Sequence, residues 1–179
     1  QGKLGTVMQF YNRFSGRFAG VENRWFSQAE IAGGGNLMDT TVHSIDLFRY
    51  LAGEVRAISA QLRTVLPIQV EDTATLLVRS ASDVLGELSC SWVTQPSEAT
   101  IRVYGTEGTA EIDYSADPSL RYWSAGTWVQ VPYQGPDRFY GEIRHFVECV
   151  RDKRTPAITV RDGARAVALL NAAYRSAQR

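Results

Sequence analysis

The chain carries only two cysteines and two histidines, and it has no excess of charge of either sign. Cys90 and Cys149 do not form a Cys-x-x-Cys pair, so a disulfide framework is not expected, and a reducing, cytoplasmic compartment is. Together with His43 and His145 they have no metal-ligand spacing, so no metal site is expected. Lys plus Arg and Asp plus Glu number 19 each. Without a basic surface to displace counterions, a nucleic-acid binder is disfavoured. No apolar run is long enough for a membrane span, and no stretch has the pattern of a signal peptide. Three motifs are also missing: G-x-G-x-x-G behind a strand, G-x-S-x-G, and G-x-x-x-x-G-K. The chain therefore shows no dinucleotide fingerprint, no serine-nucleophile elbow and no phosphate loop.

What remains is ordinary globular composition, with 44% hydrophobic and 21% charged residues in 179. That suits one domain, 1–179, whole or cut from a longer protein. The start at Gln1, with strand-like sequence close behind, reads as the middle of a longer protein.

Along the chain, Thr6 to Phe14 is rich in β-branched and aromatic residues and predicts a strand. A long loop follows to about Ala32. Gly33-Gly34-Gly35 then precedes a helical pattern closed by Gly53. The middle predicts an antiparallel meander of about six strands. Val55 to Val65 and Asp72 to Arg79 are two of them, and Leu88, Cys90 and Trp92 alternate with polar residues in a third. Gly105-Thr106-Glu107-Gly108 marks a hairpin turn. Another pair of strands flanks Ser124-Ala125-Gly126. Phe139, Ile143, Phe146, Val147 and Val150 recur at helical spacing as one apolar stripe. Thr159 and Asp162 predict a capping box that opens a last helix to about Ala177. The fold class is α+β: an open, mostly antiparallel (mixed) sheet with helices on one face.

The informative helix is the one behind the glycines. At 100° per residue Asp39, His43, Asp46 and Tyr50 fall within roughly 60° of each other, opposite Leu37, Ile45 and Phe48. Such a face is either plain solvated surface or a general base beside its carboxylate partner. The glycines ahead of it fit either a backbone that approaches a ligand at a helix N-terminus or a tight turn. His145 falls off its helix's apolar stripe and reads as surface. Trp92 and Trp128 read as core.

The run from Gly33 to Asp46, GGGNLMDTTVHSID, resembles the G-G-G-x-L-x-D-x-x-x-H-x-x-D signature of the glucose–fructose oxidoreductase, inositol dehydrogenase and MocA family. Gly2-Lys3-Leu4-Gly5, the Gly105–Gly108 hairpin, and the stretch from Phe146 through Thr155-Pro156 and Asp162-Gly163 resemble it too. The resemblance covers nearly the whole chain. It implies the C-terminal half of an NAD(P)-dependent oxidoreductase acting on a sugar, polyol or similar hydroxyl compound. NAD or NADP would be held mainly by an N-terminal Rossmann domain absent from the chain, together with a further active-site lysine. The resemblance makes His43 the acid–base and Asp39 its partner, and offers Asn12, Trp25 and Tyr140 as substrate contacts. Asp46 serves packing or hydrogen bonding. It also implies a homo-oligomer through the free sheet face, and an isolated chain without activity. The alternative is a non-catalytic binding or dimerisation module. A weaker third is a cofactor-free hydrolase or lyase, against which the lack of a nucleophile counts.

Overall fold

A computed structural model describes residues 2–178. β1 (Val7–Ser15) leads through two single-turn 3-10 helices to three helices, α1 (Ala29–Ala32), α2 (Asn36–Asp39) and α3 (Thr41–Ala52). Seven strands follow: β2 (Val55–Arg63), β3 (Thr73–Ser80), β4 (Leu85–Ser91), β5 (Glu98–Gly105), β6 (Thr109–Asp113), β7 (Leu120–Ser124) and β8 (Thr127–Val131). α4 (Arg138–Arg151) and α5 (Val160–Ala177) end the chain. The α+β class holds. The simple meander does not, because the eight strands are ordered β2-β3-β4-β1-β5-β6-β7-β8. β1 lies between β4 and β5, parallel to the first and antiparallel to the second. A parallel neighbour requires a crossover, and the segment containing α2 and α3 supplies part of it.

Period-two alternation decides which face is covered. Phe10 of β1, Leu76 and Val78 of β3 and Leu88 of β4 are buried against Leu37, Ile45 and Phe48, with Leu170 of α5 completing the core. Phe10 and Phe48 meet edge to face at 5.4 Å. Gly86, paired with Phe10 across the parallel ladder, leaves the room that the Phe48 ring fills. α3 and α5 thus pack side by side on one face of the sheet. On the other face Tyr11, Leu77, Leu85, Glu87 and Tyr104 line an open depression of about 340 Å³.

Three expectations change. The helix behind the glycines is interrupted at Thr40, giving α2 and α3 in place of one rod. His145 is half-buried, not plain surface: its Nε2 accepts the Ala157 N–H at 3.0 Å and pins the connection to α5 against α4. Trp128 is 38% exposed and lies edge-on to Trp123 with Arg121 over its ring, so it is not core. The capping box forms as expected, with Asp162 Oδ2 accepting from the Thr159 N–H and Oγ1. The α4 stripe has the right period, yet Ile143, Phe146, Val147 and Val150 are 54–64% exposed.

Candidate functional site

The three glycines form a turn that this chain itself fills. Gly33 has a left-handed φ of 74°, which glycine adopts without strain. A methyl group on Gly34 would overlap the Tyr174 hydroxyl, and one on Gly35 the Glu71 carbonyl oxygen. Glu71 Oε1 accepts the N–H groups of Gly35 and Leu37 at 3.0 Å each and the Tyr174 O–H at 2.8 Å. The Glu71 carbonyl accepts from Asn36 N at 2.8 Å. The open donors of the helix start are therefore met by a carboxylate from the loop before β3. Of the two readings of the glycines, the tight turn is the one observed. This start cannot also receive a phosphate, because Glu71 holds its donors and carries the same sign of charge. Burial and the neighbouring Glu71 carboxylate push the Tyr174 phenol well above its usual range.

The turn sets α2 on the sheet with Asn36 and Leu37 buried and Asp39 exposed. Asp39 and Thr40 line a broad cleft of about 480 Å³, with Arg17, Phe18 and Trp92 on its wall. Asp39 Oδ2 accepts from Thr40 Oγ1 at 3.1 Å, and Thr40 Oγ1 accepts from Trp92 Nε1 at 2.9 Å. Among the described residues Asp39 Oδ1 has no hydrogen-bond partner, so it is available to an incoming donor. His43 follows one turn later in α3, exposed; no hydrogen bond or ion pair joins it to Asp39 among the described residues.

The rest of the polar face goes elsewhere. Arg49, with a 5% exposed side chain, pairs with Asp46 at 3.3 Å, Glu54 at 3.0 Å and Asp162 at 3.6 Å. That cluster ties α3 to the start of α5, and the carboxylates of Glu54 and Asp162 are held below the usual range, by hydrogen bonding to Arg49 and to Thr159 respectively. Tyr50 is 74% exposed at the same end. The face predicted as one row is two patches: Asp39 and His43 at the head of the helix pair, and an ion cluster at its tail.

Trp25 is half exposed and stacks on Phe26 with ring centroids 3.9 Å apart. Phe26 continues edge to face into Phe18 and Trp92, so Trp25 is joined through Phe26 to two residues of the cleft wall but is itself outside the lining. Asn12 has no exposed surface. Its Nδ2 donates to the Thr100 carbonyl at 3.0 Å, and a substrate cannot touch it in this conformation. Tyr140 is exposed on the first turn of α4 and is not part of the cleft lining. Sequence reasoning missed Thr40, Glu71 and Arg17, and took Trp92 for core alone. The adjacent acids Glu71-Asp72 at the head of a strand were the available signal. Asp72 is fully buried and accepts from Val65 N and Leu66 N at 2.7 Å each.

Fold and cleft together define a two-layer α+β domain that presents a carboxylate and an imidazole from the head of a sheet-packed helix. The chain belongs to the GFO/IDH/MocA family: the model of that family's C-terminal domain matches residues 1–111. It is 30% identical over 159 residues to D-apiose dehydrogenase of Paraburkholderia graminis, an alignment that covers 78% of this chain and 42% of the relative. It is 31% identical over 139 residues to scyllo-inositol 2-dehydrogenase (NAD(+)) of Bacillus subtilis, covering 70% of this chain and 40% of the relative. The chain thus spans less than half the length of these relatives. Among solved structures, levoglucosan dehydrogenase in complex with NADH superposes with a TM-score of 0.89 at 22% identity, over 99% of this chain and 58% of that one, which is a likeness of fold.

Proposed function

We propose that the chain is the substrate-side half of an NAD(P)-dependent dehydrogenase acting on a sugar or polyol hydroxyl. The observation that carries this reading is the head of α2 and α3, where Asp39 offers a free carboxylate oxygen to a cleft and His43 lies exposed one turn on. Oxidation at a hydroxyl-bearing carbon must shed the hydroxyl proton. A neutral imidazole can take that proton, and a carboxylate can hold a neighbouring hydroxyl in place. Phe18, on the cleft wall, supplies apolar surface for the carbon face of a ring, and we assign to Trp25 an exposed aromatic surface that a larger substrate would reach. Asn12 we assign to the fold, and Tyr140 to a position that reaches substrate only from α4.

The glycine turn offers no cradle for a dinucleotide phosphate, since its donors are taken by Glu71. In this reading the cofactor is held by the remainder of a longer polypeptide. The exposed apolar stripe of α4, from Ile143 to Val150, supports this, because such a face gains most when covered. The open sheet face around Tyr11, Leu77 and Leu85 is the surface we assign to a second copy. In the full-length protein, hydrogen exchange should be slow across the α4 stripe at every concentration, and sedimentation should give a dimer or larger that Leu77→Arg dissociates. An α4 that exchanges freely, or a monomer at all concentrations, contradicts the assignment of these faces.

The direct test is NAD(P)⁺ reduction by the full-length protein and by the 179-residue chain, with D-apiose and scyllo-inositol among a panel of sugars and polyols. Turnover by the full-length protein and none by the chain is the expected result. Turnover by the chain alone refutes the half-enzyme reading.

A further inference from the structure

We propose that Thr40 and Trp92 are positioning residues that fix the direction of the Asp39 carboxylate through a one-way chain of hydrogen bonds. The inference rests on the role given above to Asp39. Its basis is proton counting. An indole N–H only donates, so in the 2.9 Å contact Thr40 Oγ1 is the acceptor, and it is the nearest one to that N–H. A hydroxyl has one proton, and that proton is then directed away from the indole. Asp39 Oδ2, 3.1 Å off, is the acceptor it meets. The buried Asn36 is the neighbouring alternative, since with its amide turned to donate to the Cys90 carbonyl its oxygen lies 3.2 Å from the same indole N–H.

The chain starts on a rigid base. Trp92 is 5% exposed and held edge to face by Phe18 at 5.6 Å, and its backbone N–H donates to the Asp72 carbonyl at 2.8 Å. Thr40 occupies the break between α2 and α3. A threonine inside a helix ordinarily turns its hydroxyl to a carbonyl one turn back. This one turns it sideways, between an indole and a carboxylate. An exposed aspartate would otherwise sample its rotamers freely; tying Oδ2 leaves Oδ1 aimed outward for a substrate hydroxyl. The position of Trp92, just past the end of β4, is thereby transmitted to the one carboxylate that lines the cleft from α2.

The test uses the full-length protein with indole nitrogens labelled, and the variants Thr40→Val, Thr40→Ser, Trp92→Phe and Asp39→Asn. The Trp92 indole N–H resonance should move in Thr40→Val and, through the threonine, also in Asp39→Asn. Thr40→Ser should leave it near its place. With D-apiose and scyllo-inositol as probe substrates, Thr40→Val should lower kcat/KM about tenfold, the scale of one hydrogen bond to a charged group. The loss should appear mainly in KM, be restored by serine, and vanish when Asp39 is already asparagine. Trp92→Phe keeps the ring and should act in the same direction. An unmoved resonance in Asp39→Asn overturns the inference. So does an equal tenfold loss from Thr40→Val in the Asp39→Asn background. If Asp39→Asn leaves turnover intact, the role of Asp39 falls and the inference with it. If Asp39→Asn abolishes turnover and Thr40→Val changes neither signal, the inference alone falls.

Discussion

His43→Ala in the full-length protein should lower kcat/KM by about 10²- to 10⁴-fold, the range for loss of a general base. That is about 3–5 kcal/mol of transition-state stabilisation. The fold should not suffer, because His43 is exposed and makes no side-chain hydrogen bond among the described residues. The thermal midpoint is therefore the control, and it should match the wild type. One further sign separates lost proton transfer from lost binding. Added imidazole should restore part of the rate, since the deleted ring leaves an open, solvent-facing site. A variant with full turnover removes His43 from the chemistry. A variant that fails only in KM makes it a binding residue.

Gly35→Ala should destabilise the domain by about 3 kcal/mol, the upper part of the usual cost of overpacking. The new methyl would overlap the Glu71 carbonyl oxygen and stand 2.9 Å from that residue's backbone nitrogen and carbon. Backbone cannot swing aside as a flexible side chain can. Relief of the clash would stretch the Asn36 N–H bond to Glu71 and loosen the Glu71 cap on α2. Against a typical total of 5–15 kcal/mol, that loss is visible as a lower urea midpoint. The same cap predicts an alkaline limb. The Tyr174 phenol is raised by burial and by Glu71, so the folded form keeps its proton at pH values where the unfolded chain gives it up. Its contribution is complete below about pH 10, the unfolded value, and is lost as pH climbs toward the folded one. Tyr174→Phe should flatten that limb. An unchanged urea midpoint in Gly35→Ala, or an alkaline limb that survives Tyr174→Phe, would show that the turn is less tightly filled than described.

Local periodicity made part of this legible. The 3.6-residue repeat placed Asp39 and His43 on the exposed side and Leu37, Ile45 and Phe48 in the core, where the structure has them. The Gly105–Gly108 turn and the Thr159–Asp162 cap depend on neighbours in sequence, and both were readable. Long-range partners were not. The break at Thr40 follows no propensity rule, and its hydroxyl answers to Trp92, 52 residues away. Glu71 reaches the glycines across 36 residues, so the turn looked open to a ligand until its occupant was placed. Strand order lies beyond alternation too, because the pattern of β1 is the same at an edge as between β4 and β5. The α4 stripe shows a further limit: its period gave the helix, but period carries nothing about what covers the face.

The central claim is that the head of α2 and α3 handles a sugar or polyol hydroxyl. It is tested most directly by pairing the full-length wild type with His43→Ala in NAD(P)⁺ reduction across sugars and polyols. Turnover of at least one such substrate, lost by two orders of magnitude or more in the variant at unchanged thermal stability, is the predicted result. Equal turnover by the two proteins would contradict the claim.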